Sequence, residues 1–90
     1  MAKWLQSGPR RDLCVLLSGS EGTAQRLKSR LEAHYDERLD PKTFYAQLSA
    51  LENSGLIEKR VEGLADVYSL TDEGERALRE HYEWMTEQLR

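Results

Sequence analysis

Cysteine is nearly absent from this chain. Among 90 residues only Cys14 occurs, so an internal disulfide is excluded. Cys14 lies in the apolar run LCVLL, where a thiol serves as a small hydrophobe rather than a nucleophile. Histidine is also scarce, and His34 and His81 are far apart with no cysteine cluster or ligand-spaced pair. No metal and no cofactor are therefore expected. Nucleophile, base and acid are not grouped, and no glycine-rich phosphate loop is present, which sets an enzyme aside. Long apolar runs are missing too: none approaches the roughly 18 residues of a membrane span. The opening MAKWLQSGPRR has no apolar core of a signal peptide, so the expectation is a cytoplasmic protein with no membrane partner. Finally, positive charge is in deficit. Thirteen basic residues face 16 acidic ones, net −3 with a pI near 5.4, against the basic footprint usual in nucleic-acid binders.

The charge that exists is unevenly placed. Residues 1–19 hold Lys3, Arg10 and Arg11 against Asp12 alone, whereas residues 71–90 hold six acids against three arginines. Both prolines sit where a helix would begin. Pro9 opens a first helix through RRDLCVLL, with Leu13, Leu16 and Leu17 toward the core and the glycines of SGSEG as its stop. Thr23 caps a second helix over AQRLKSRLEAHYDERL, with Ala24, Leu27, Leu31 and Tyr35 on one side. Asp40-Pro41 pairs an N-cap carboxylate with a proline at the first helical position. The third helix that follows buries Phe44, Leu48 and Leu51 and ends at Asn53-Ser54-Gly55. Its opposite face (Lys42, Ala46, Ser49, Ala50, Asn53) is small and polar. LIEKRVEGLADVYSL reads as a hairpin around Glu62-Gly63-Leu64-Ala65. Thr71 begins a last helix with acids in its first turn, where the helix dipole favours them.

That last helix is long for so small a domain. Leu78, Tyr82, Met85 and Leu89 are spaced four, three and four, a heptad seam, flanked by Ala77, His81 and Trp84. Either it folds back on its own domain or it packs against a second copy; the seam favours a homodimer. Trp4 is a dimer contact or a loosely packed residue of the arm.

Three helices, a hairpin and a closing helix give a mainly α chain of order ααα-ββ-α, the winged helix-turn-helix arrangement. Residues 1–8 form an arm, 9–70 the DNA-binding unit and 71–90 the dimerisation helix. In such units the second helix of the pair enters the major groove.

The segment Pro41–Lys59 resembles PadR-type transcriptional regulators at Pro41, Thr43, Phe44, Tyr45, Leu48, Leu51, Glu52, Gly55, Leu56 and Ile57. The stretch VYSLTDEGERAL is similar to that family at Tyr68, Leu70, Thr71, Gly74 and Leu78. The opening RRDLCVLL, the helix QRLKSRLEAHY and Glu83-Trp84 look most like the short PadR-like regulators of halophilic archaea, a likeness that the preference for arginine (nine, against four lysines) suits, and the resemblance spans about residues 10–85. The chain departs from the family's pattern at Lys42, where glycine is usual, and at Asp66, where a basic residue is usual. The resemblance implies a homodimeric regulator of double-stranded DNA, a repressor by promoter occlusion, with the Tyr45 hydroxyl on a phosphate.

On that reading Lys42 and Thr43 meet DNA at the first turn of the reading helix, and Ala46 and Ser49 allow close approach to the groove. Gln47 is either an adenine reader or a half-buried structural amide. Arg26 and Lys28 are candidate backbone anchors, although Glu32, Asp36 and Glu37 offer ordinary helix-surface pairing instead. Arg10 and Arg11 open the first helix as the densest positive charge. From the wing only Lys59 and Arg60 could reach phosphate. A winged-helix protein-interaction module is the alternative, and no motif designates a small-molecule effector.

Overall fold

A computed structural model describes residues 8–90; Lys3 and Trp4 lie outside the described residues. The elements run α1 (Gly8–Gly19), β1 (Gly22–Thr23), α2 (Ala24–Tyr35), α3 (Pro41–Asn53), β2 (Ile57–Glu62), β3 (Ala65–Leu70) and α4 (Asp72–Gln88). The three caps act as their residue types require. Thr23 Oγ1 accepts from Arg26 N at 3.3 Å, Asp40 Oδ2 from Thr43 N at 3.0 Å, and Thr71 Oγ1 from Gly74 N at 3.0 Å. Replacing Asp40 by Ala is expected to cost about 1 kcal/mol in urea unfolding. No helix among the described residues is long and apolar enough to cross a membrane.

Two expectations are corrected. The second helix does not continue through Asp36-Glu37-Arg38-Leu39 but stops at Tyr35. Asp36 adopts φ 55°, a left-handed cap that breaks the helical ladder, and the Leu39 amide turns back to donate to Glu32 Oε2 at 2.8 Å. The hairpin is also not alone. Gly22 and Thr23 add a third antiparallel strand, giving the order β1-β3-β2 with Gly22 opposite Tyr68 and Thr23 opposite Val67. Two residues carry no readable periodicity, so only the partner strand reveals them.

The core is one cluster: Leu13, Cys14 and Leu17 from α1, Leu27 and Leu31 from α2, Phe44, Leu48 and Leu51 from α3, then Leu56, Ile57 and Tyr68. Leu16, expected to face the core, is only partly buried and packs at its margin. Burial pushes the Cys14 thiol up to about 12, so it stays neutral, as its apolar setting requires. The Tyr35 hydroxyl, also raised to about 12 by burial and by its hydrogen bond to the Asp12 carboxylate, ties the end of α2 to α1.

Candidate nucleic-acid interface

The third helix is built to present one face. Phe44, Leu48 and Leu51 are buried beneath it, which turns Lys42, Thr43, Tyr45, Ala46 and Ser49 out to solvent. Tyr45 is half-exposed and meets the buried Phe44 ring edge-on, centroids 5.7 Å apart at 83°. That edge-on contact steadies a ring that is otherwise half open to solvent. The Thr43 hydroxyl donates to Asp40 Oδ2 at 3.0 Å, so one of the expected polar contacts is engaged in the cap. Gln47 is half-buried and lines a cavity of about 50 Å³ with Pro9, Leu13 and Leu31, between the helix's own stripe and the start of α1.

The candidate cations divide into two groups. Lys42, Arg26 and Lys59 are exposed and form no ion pair among the described residues. Lys59 stands opposite Tyr68 in the hairpin. Lys59 shares its face of β2 with the buried Ile57 and lies across from the buried Tyr68, on the side of the sheet that α3 packs against. The second group is already partnered. Lys28 bonds Glu32 at 2.8 Å along α2, and the Glu32 carboxyl is held low by Lys28 and by the Leu39 amide. Arg60 is gripped by Glu21 and Glu62 at 2.5 and 2.7 Å. Glu32, four residues along from Lys28, is a pairing that helical spacing announces, whereas Glu21 lies 39 residues from Arg60 and no spacing announces it.

Arg10 and Arg11 are drawn into the fold. Arg10 is half-buried, its Nε closed off from solvent. Arg11 lies 3.9 Å from Asp12 and lines a groove of about 730 Å³ between α1 and α4, with Val15, Leu78, Tyr82 and Met85. The seam of the last helix is split in the same way. His81 is buried at 7% exposure and stacked on Trp84, centroids 5.7 Å apart, and Ala77 and Leu78 pack on the core cluster. Tyr82, Met85 and Leu89 remain outside at 65%, 40% and 80%, and Trp84 at 49%. The wing tip carries Leu64, fully exposed, beside Val61. Among the described residues no three potential metal ligands cluster.

A helix pair of α2 and α3 joined by a short turn, followed by a hairpin and sealed by α1 and α4, defines a winged helix-turn-helix protein. Residues 13–80 match the Transcriptional regulator PadR-like family, and the chain belongs to it. Its structure is similar to RosR of H. salinarum, with a TM-score of 0.86 and 26% identity over 91% of this chain and 76% of that one. The complex hsRosR-S1 superposes with a TM-score of 0.89 at 25% identity, covering 97% and 80%. A homodimeric winged helix-turn-helix DNA-binding domain from Mycobacterium bovis, a possible ArsR-family transcriptional regulator, gives 0.80 at 25% identity over 97% and 76%. A comparison with curated protein sequences finds no match.

Proposed function

We propose that this chain is a homodimeric, sequence-specific DNA-binding transcriptional regulator that reads the major groove with α3 and represses by occupying a pseudo-palindromic operator. The observation that carries this is the capped helix whose outward face combines small residues with Lys42, which, like Arg26 and Lys59, forms no ion pair among the described residues. Small side chains let the helix backbone approach base edges, and Arg26 in the first turn of α2 and Lys59 on β2 are the candidate contacts to the DNA backbone. The homodimeric state of the mycobacterial neighbour and the exposed apolar half of α4 support pairing through that helix. Two copies double the number of cations that can meet phosphate along one duplex. Tyr45, with its ring fixed by Phe44, is the candidate phosphate contact on the helix flank.

Binding to labelled duplex DNA at several salt concentrations tests the proposal. The logarithm of affinity should fall linearly with the logarithm of salt, with a slope of about −0.9 for each phosphate neutralised. Lys42→Ala should weaken binding by about five- to tenfold and make the slope shallower by about one, or two where both half-sites are filled. Tyr45→Phe should weaken it by roughly two- to tenfold with little change in slope. Absence of any DNA binding across all salts would instead point to a winged-helix module that meets another protein.

A further inference from the structure

Arg60 has the location of a wing arginine but not its freedom. Side chains alternate across a strand, so Ile57, Lys59 and Val61 share one face of β2 while Glu58, Arg60 and Glu62 share the other. Lys59 lies in the row of the buried Tyr68, on the α3 side; Arg60 lies in the row of Val67 and Thr23, on the opposite side. From there its guanidinium reaches past the central strand. Nη1 donates to Glu21 Oε2 at 2.8 Å and Nη2 to Glu21 Oε1 at 2.5 Å, a two-pronged grip. Nη2 and Nε also donate to Glu62 Oε2, at 2.7 and 3.2 Å. All three guanidinium nitrogens are thus committed to carboxylates. The Glu21 carboxyl is held below its usual range, foremost by its hydrogen bond to Arg60.

The position of Glu21 gives this cluster its meaning. Glu21 immediately precedes β1, and the second residue of β1, Thr23, is also the N-cap of α2. The helix-turn-helix and the sheet therefore meet at one joint. At this joint β3 is secured by backbone pairing, but β2 is an edge strand that pairs with β3 alone and is exposed beyond Ile57. Isolated surface ion pairs add little, whereas two-pronged and networked ones are the exception.

We propose that Glu21, aided by Glu62, is a positioning residue that clamps the wing's edge strand to the start of the helix-turn-helix through Arg60. The clamp holds the wing, and with it Lys59, at a set angle to α3. An acid in a DNA-binding unit then favours DNA binding, and Arg60 serves the fold rather than a phosphate. The consequence for DNA rests on the reading of α3 and Lys59 as DNA-facing; the clamp itself does not.

Three variants decide it: Glu21→Gln, Arg60→Glu, and the exchanged pair E21R/R60E. Hydrogen exchange of the β2 amides that pair with β3 reports the clamp, and affinity for a fluorescent duplex selected by the wild-type protein from a random pool reports its consequence. Each single variant is expected to speed amide exchange severalfold and to weaken DNA binding by about two- to fivefold. The exchanged pair should return both readings to within about twofold of wild type. The sign is decisive, because simple removal of a negative charge near phosphate would tighten binding. Unchanged exchange in Glu21→Gln, tighter or equal DNA binding by that variant, or an exchanged pair no better than the singles overturns the proposal. If the wild-type protein selects no DNA, the regulator reading falls, while amide exchange still decides the clamp.

Discussion

Gly74→Ala is expected to destabilise the protein by about 3 kcal/mol or more, an effect out of scale with one methyl group. Gly74 is buried in the first turn of α4, where a Cβ would stand 2.1 Å from the Leu56 carbonyl oxygen and 2.9 Å from Leu70 Cδ1. The Leu56 contact is with backbone, which cannot swing aside as a side chain can. The same junction is stitched by Thr71, whose amide donates to Leu56 O at 3.1 Å and whose hydroxyl donates to Gly55 O at 2.7 Å. Pushing α4 outward strains these bonds and withdraws Ala77 and Leu78 from the core they pack against. On a solvent-facing helix the same substitution would stabilise by about 1 kcal/mol, so the sign of the result is diagnostic. Thermal unfolding should show a midpoint lower by roughly 12–25 °C, given about 4–8 °C per kcal/mol for a domain of this size. An unchanged midpoint would show that α4 does not seat on the 55–56 turn.

The paired substitution Tyr82→Asp and Leu89→Asp is expected to convert a dimer to folded monomers and to lower DNA affinity by about 100-fold or more. Both side chains are largely exposed within one chain, so charges placed there leave the monomer's core intact. Across a two-fold axis the same charges would face apolar side chains of the second copy, without water to solvate them. On the proposed dimeric reading, loss of the tether between two reading helices would remove the gain from engaging both half-sites together, commonly a factor of 10² to 10⁴. Sedimentation reads the first effect and DNA titration the second. A variant that still sediments as a dimer would move the interface off the outer half of α4. Leu78 is a poorer probe, since it packs partly on its own core and aspartate there would unfold the chain as well.

Much of the candidate interface was legible in residues 40–57. Asp40-Pro41 announces a helix start, Asn53 through Gly55 a stop, and Phe44, Leu48 and Leu51 the buried stripe; the outward face follows by subtraction. Gly55 does what its place suggests, adopting φ 78° where other residues are strained. The cations were harder. A sequence offers Arg26, Lys28, Lys59 and Arg60 on nearly equal terms, because charge alone does not say which carboxylate lies across the fold. Helical spacing hinted at Lys28–Glu32, whereas Arg60–Glu21 joins distant parts of the chain. His81 shows the same limit. Its place beside a heptad seam suggested an intermolecular contact, yet α4 packs on α1 and His81 is buried within its own chain.

The sequence by itself determined where the helices start, which stripes they bury and which helix presents a small polar face. These follow from caps, periodicity and side-chain shape within a dozen neighbouring residues. Only the tertiary structure decided the third strand, the need for glycine at 74, which half of α4 stays exposed and which cations are gripped by carboxylates from elsewhere in the fold. Each of those depends on a partner brought near by folding, and a local pattern carries no record of what the rest of the chain places beside it.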